Sequence, residues 1–171
     1  MLKTLSSLKK QLCGPCPRKT SFFQFNTSLG AAAGMESMCS KKKRELEKCY
    51  NALERRLIHE SDELCRVAIL AWMDIVAKKF GGLLYKQFRE LLPYALGLKR
   101  RDGTLAISCD EKAVCNEPIL CLKAYLLCKK RWMKKELERL EPGTPYARVA
   151  RVIVGEAAIP EECGGLPPEC R

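Results

Sequence analysis

Apolar residues recur along this chain at helical spacing. Leu46, Cys49, Leu53 and Leu57 predict a helix from Lys41 to His59, with Lys42, Lys43, Glu47, Glu54 and Arg55 on its other face. Ser61, Asp62 and Glu63 mark a new start, because a hydroxyl cap and early acids suit the positive end of a helix dipole. The second helix, Asp62 to Phe80, carries only Arg66 and Asp74 as charges between Leu64 and Ala77. A helix apolar nearly all round belongs at the centre of a fold, with Trp72 as an anchor. Gly81 and Gly82 end it.

A third helix is predicted from Leu83 to Leu96, with Leu84, Phe88, Leu91 and Leu92 as its inner face and Pro93 closing or kinking it. Lys99 to Gly103 is a basic turn with an Asp-Gly signal, and Thr104 to Cys109 reads as a short extended piece or a helical turn. Pro118 opens a long fourth helix that continues to Leu140, where Pro142 and Gly143 stop it. Thr144 and Pro145 start a short helix to about Val154. The expectation is an all-α protein, a small bundle of about four main helices over residues 41–141. A flexible basic arm over residues 1–40 precedes it, and a short helix with a Pro/Gly/Cys tail over 142–171 follows.

In the arm, Leu2, Leu5, Leu8 and Leu12 fall near one helical face and Lys3, Lys9 and Lys10 largely elsewhere. Such a start fits a helix lying on an anionic membrane surface, a transit peptide or a frayed terminus. Residues 13–38, with Gly14, Pro15, Pro17, Gly30 and Gly34, read as a linker.

The chain has 171 residues, which suits one domain with tails. Its net charge of +11 is not spread evenly. Residues 1–40 and 41–59 hold +4 each, 81–102 and 129–141 hold +3 each, and the three segments between and after them hold −1 each. A field of that sign favours phosphate, anionic lipid or acidic protein partners. The single His argues against multi-His metal sites and His-dependent catalysis, so an enzyme is not expected.

The 11 Cys are odd in number, and the first 15 residues lack the apolar run of a secretory signal. Reduced thiols in a cytoplasmic, non-secreted protein are therefore expected. Cys13-Gly14-Pro15-Cys16 has the thioredoxin spacing without a βαβ pattern around it, and the remaining spacings are too loose for a zinc knuckle. No metal and no cofactor is expected. No stretch approaches 18 consecutive apolar residues, so no transmembrane helix is expected.

Two basic blocks are candidates for partner contact. Lys41-Lys42-Lys43-Arg44 resembles runs that bind nucleic acid or transport receptors. The block of Lys129, Lys130, Arg131, Trp132, Lys134 and Lys135 joins phosphate attraction to an aromatic surface. Neutralising Lys129, Lys130, Lys134 and Lys135 is expected to spare the fold and weaken a partner contact. Ile107-Ser108-Cys109-Asp110-Glu111 resembles the L-x-C-x-E motif that docks on retinoblastoma-type pocket proteins.

The order of features over residues 41–130 resembles the C accessory proteins of paramyxoviruses. The matching stretches are Arg44–Leu57, the helix centred on Trp72, Leu83–Leu96 and Thr104–Cys128, together with the start MLKTLSSLKK. The resemblance implies a non-enzymatic virulence factor that antagonises interferon signalling and modulates viral RNA synthesis. Its partners would be a host signalling protein or the viral polymerase complex, with RNA or a peripheral membrane contact through residues 1–12 in addition. It would work in the host cytoplasm, the nucleus or at a membrane surface. A competing resemblance is to hepadnavirus-like capsid proteins. It rests on Ala68-Ile69-Leu70-Ala71-Trp72, Cys121-Leu122 and Thr144-Pro145-Tyr146-Ala147-Arg148, and it lacks that family's Arg-rich tail.

Overall fold

The computed structural model describes the backbone of residues 29–171 and the side chains of residues 38–171. Over these residues the fold is all-α, with six helices and no strand. The amphipathic start (Leu2, Lys3, Leu5, Leu8, Lys9, Lys10, Leu12) and the Cys13–Cys16 motif lie outside the described residues. The chain divides into two units, Met1–Glu45 and Leu46–Arg171.

Helix α1 spans Leu29–His59 and thus begins 12 residues before the expected Lys41. Ala31, Ala32 and Ala33, the strongest helix formers, lie between Gly30 and Gly34 and extend the helix through part of the expected linker. In the second unit, Cys49, Ala52 and Leu53 of α1 are buried and Leu46 and Leu57 pack beside them.

Helix α2 (Glu63–Phe80) is the central element, with ten buried residues. Its N-terminus is capped by the Asp62 carboxylate, which accepts from the Cys65 amide at 2.8 Å, rather than by the Ser61 hydroxyl. Gly81, at φ 77°, closes it by donating to the Ala77 carbonyl. Trp72 is half-buried against the core.

Helix α3 (Gly82–Ala95) places Phe88 and Leu92 inside. Leu91, expected on that inner face, projects into solvent at 63% exposure. The core-facing stripe is narrower than the predicted one, because only one neighbour, α2, covers this helix broadly. Pro93 sits in the last turn, near the helix end it was expected to close. The chain then doubles back through an isolated antiparallel bridge between Lys99 and Leu105.

The largest departure concerns the predicted helix from Pro118 to Leu140. It is two helices, α4 (Pro118–Cys128) and α5 (Arg131–Glu138), separated at Lys129, which is left-handed at φ 53°. The cause is tertiary. In a continuous helix the Leu126 and Leu127 carbonyls would accept from the amides of residues 130 and 131. Here the Arg89 guanidinium from α3 takes both, at 3.0 and 2.6 Å. Helix α6 (Pro145–Ile153) follows a Thr144 cap, as the sequence predicts, and buries Val149, Ala150, Val152 and Ile153 against α2 and α4.

The cysteines also correct the expectation. Four disulfides join Cys49 to Cys170, Cys65 to Cys163, Cys109 to Cys128 and Cys115 to Cys121. The first two fasten the 155–171 segment, expected as a loose tail, to α1 and α2. Ile159 and Cys163 of that segment are buried, and Arg148 pairs with Glu162 at 2.6 Å. These bridges span 121 and 98 residues, so they remove more freedom from the unfolded chain than the short pairs do, the gain growing slowly with loop length.

The eight bridged cysteines are expected to resist alkylation in denaturant until a reductant is added, as read by intact mass. Replacing Cys65 and Cys163 by Ser is expected to cost about 2–5 kcal/mol in a urea titration. The change Leu126→Asp, which puts a charge at a position with no exposure, is expected to abolish cooperative unfolding followed by circular dichroism.

Candidate functional site

The basic block at the α4–α5 junction is built on Asp74, the only buried polar or charged residue among the described residues. An unpaired carboxylate there would be intolerable. It is answered by Arg89 at 3.3 Å and Lys129 at 3.2 Å, both partly exposed. Lys129 also lies 5.5 Å from the Tyr125 ring centre. Lys129 is therefore a structural cation. Unlike Lys134 and Lys135, Lys129 is one of the two cations on a buried carboxylate, so its neutralisation is expected to cost stability.

The rest of the block divides in two. Lys130 pairs with Asp110 at 3.1 Å, and Lys134 pairs loosely with Glu138 at 3.8 Å. Trp132 is half-buried against the small apolar cluster of Val114, Ala124 and Met133, so its ring is committed to packing. Arg131 and Lys135 are exposed and form no ion pair among the described residues. Six consecutive-looking candidates thus leave two unengaged cations. The I-x-C-x-E stretch has its cysteine bound to Cys128, so the thiol of Cys109 is unavailable to a docking partner.

A second basic site emerges only in three dimensions. The last turns of α1 and the stapled C-terminal segment enclose an open cleft of about 660 Å³. Arg55, Arg56, His59 and Arg171 line it together with Glu60 and Glu169, and Leu166, Pro167 and Pro168 form an apolar wall. Arg56 is a strut: its guanidinium donates to the carbonyls of Cys163 and Gly165. Gly164 is required beneath it, since φ is +84° and a Cβ would collide with the Arg56 guanidinium. Arg55 keeps only a long 3.9 Å contact with Glu169 and is largely exposed. Arg171 donates to the Leu166 carbonyl at 3.3 Å. His59 is exposed at the helix end.

Sequence reasoning missed this cleft because Arg55 and Arg171 lie more than a hundred residues apart. Nothing in the local pattern joins them. The two long disulfides do. Among the described residues, no group of three or more His, Cys, Asp or Glu side chains could hold a metal ion, and no helix is long and apolar enough to cross a membrane.

No family model, no curated protein and no solved structure matches this chain.

The change Asp74→Ala leaves two cations and two helix carbonyls without their organising charge. It is expected to cost about 3 kcal/mol in denaturant unfolding, whereas Lys135→Ala, at an exposed and unpaired position, is expected to be within about 0.5 kcal/mol of the parent.

Proposed function

We propose that this chain is a non-enzymatic helical binding protein that acts by occupancy, and that its principal ligand is an acidic segment of a partner protein seated in the Arg55–Arg171 cleft. The observation that carries this reading is the cleft itself. It brings together cations more than a hundred residues apart in sequence, alongside Glu60 and Glu169, beside an apolar wall of Leu166, Pro167 and Pro168. Guanidinium groups suit carboxylates because their planar donors match two oxygens at once. An extended acidic peptide can lay apolar side chains on the proline wall while its carboxylates meet Arg55 and Arg171. The long cross-links that hold the cleft reduce the ordering cost of binding.

The resemblance to paramyxovirus C proteins supplies a narrower version of this proposal. In it the partner is a host signalling protein or the viral polymerase, and the outcome is interferon antagonism or altered viral RNA synthesis. That version places the chain in the cytoplasm, where thiols are kept reduced. Four disulfides favour an oxidising compartment instead. The inference of a cytoplasmic site from reduced thiols has lost its premise, and we place the protein in an oxidising environment. RNA is the weaker alternative, because the cations sit in separate places and several are already paired internally.

The test is fluorescence anisotropy with a labelled oligo-glutamate peptide. Binding is expected to weaken with salt, and to fall on the order of tenfold when Arg55 and Arg171 are both replaced by Ala. Binding unchanged by that double variant would remove the cleft from the proposal. Tighter, steeply salt-dependent binding of RNA than of the peptide would favour the nucleic-acid alternative.

A further inference from the structure

Helix α3 shows apolar side chains to solvent that its own fold does not need. Leu83, Leu91 and Tyr94 are 68%, 63% and 58% exposed, although Phe88 and Leu92 on the same helix are fully inside. At 3.6 residues per turn the three outer residues fall within an arc of about 80°. They share one side of the helix, with exposed Gln87 between them and Glu90 at its edge.

The turn after α3 extends the strip and rims it with positive charge. The Lys99 ammonium lies 4.7 Å from the Tyr94 ring centre, which holds the turn against the end of the helix. Lys99 bridges to Leu105, itself 41% exposed. Arg100 and Arg101 stand at the exposed tip, held by hydrogen bonds from the Arg100 amide to the Thr104 carbonyl and from the Gly103 amide to the Arg100 carbonyl. Lys86 is exposed on the helix beside the strip. None of these four cations forms an ion pair among the described residues.

Two carboxylates lie nearby. Glu90 is exposed on α3. Asp102 is turned back on its own loop, accepting from the Thr104 hydroxyl at 2.6 Å and the Thr104 amide at 2.9 Å, and these bonds hold its carboxyl below the usual range. Cations therefore outnumber acids, and the acid nearest the tip is satisfied from within.

From this combination we infer that the outer strip of α3 and the Lys99–Leu105 turn form a docking surface for an anionic lipid bilayer. Protruding Leu and Tyr side chains on a convex helix enter a yielding, planar surface more readily than a rigid socket. Tyr suits the headgroup level, with its ring in the apolar zone and its hydroxyl in water. Long Lys and Arg stems let the charges reach lipid phosphates while the Leu side chains sink. The charge pattern is complementary to an anionic surface, where each nearby cation strengthens attachment several-fold. The surface is separate from the Arg55–Arg171 cleft and does not rest on it.

The test is co-sedimentation of the full chain with phosphatidylcholine vesicles, with and without phosphatidylglycerol. The protein is expected to pellet only with the anionic vesicles. Replacing Leu83 and Leu91 by Ser, or Arg100 and Arg101 by Glu, is expected to lower partitioning on the order of tenfold each, with the circular dichroism spectrum unchanged. The cleft variant Arg55→Ala/Arg171→Ala is expected to bind vesicles like the parent. Failure of the parent to bind anionic vesicles overturns the inference. So does binding undiminished in both surface variants, which would assign the contact to residues elsewhere, such as the Leu2–Leu12 segment. A parent that sizes as an oligomer, and becomes monomeric on Leu83→Ser/Leu91→Ser, would show that a second copy covers the strip instead.

Discussion

The Asp74 carboxylate lies on α2, the helix against which α3, α4 and α6 pack, and two cations converge on it from separate parts of the chain. A buried acid needs both charge and hydrogen bonding to be tolerated, and Arg89 and Lys129 provide them. The same Arg89 then takes the last carbonyls of α4, so one side chain balances a charge and ends a helix. Because α4 ends there, the chain turns, α5 diverges from the line of α4, and Met133 and Leu137 are delivered to the interior. Were Asp74 apolar, Arg89 would have less reason to point inward, and the continuous helix written into residues 118–140 would face no local obstacle.

The disulfides do a complementary task at the other end of the described sequence. The segment after α6 has few apolar side chains, chiefly Ile159 and Leu166, and would hold poorly by burial alone. Two long bridges and the Arg56 strut fix it across α1 and α2. That placement turns a Pro-rich run into one wall of a cleft. The binding reading thus depends on covalent geometry more than on the size of the core.

Much of the helical order was legible from apolar spacing. Helix α2 is recognisable because little but Arg66 and Asp74 interrupts its apolar surface, and α6 because Thr144 and Pro145 are a good helix entry. What was not legible came from partners distant in sequence. Lys129 is an ordinary helix former, and only Arg89 and Asp74 explain its left-handed backbone. Leu91 matches the helical repeat of Leu84 and Phe88, yet no neighbour arrives to cover it. Cysteine pairing depends on which helices meet, so the spacings 49, 65, 163 and 170 carry no pairing information by themselves. For the same reason the block from Lys129 to Lys135 looked like one surface in the sequence, while the structure pairs Lys129 with buried Asp74, packs Trp132 against the small apolar cluster and leaves Arg131 and Lys135 exposed. The cations of the cleft were assigned to no site at all.

The connectivity of the cross-links has a topological consequence. Arg100 and Arg101 offer an exposed basic tip of the kind that trypsin-like proteases cut. Because Cys49–Cys170 and Cys65–Cys163 bracket that tip from both sides, a nick there would not divide the molecule. The two fragments would stay joined by two covalent bonds, with the core helices of both still able to pack. A protein fastened in this way can lose the continuity of its backbone at an exposed turn and remain one particle.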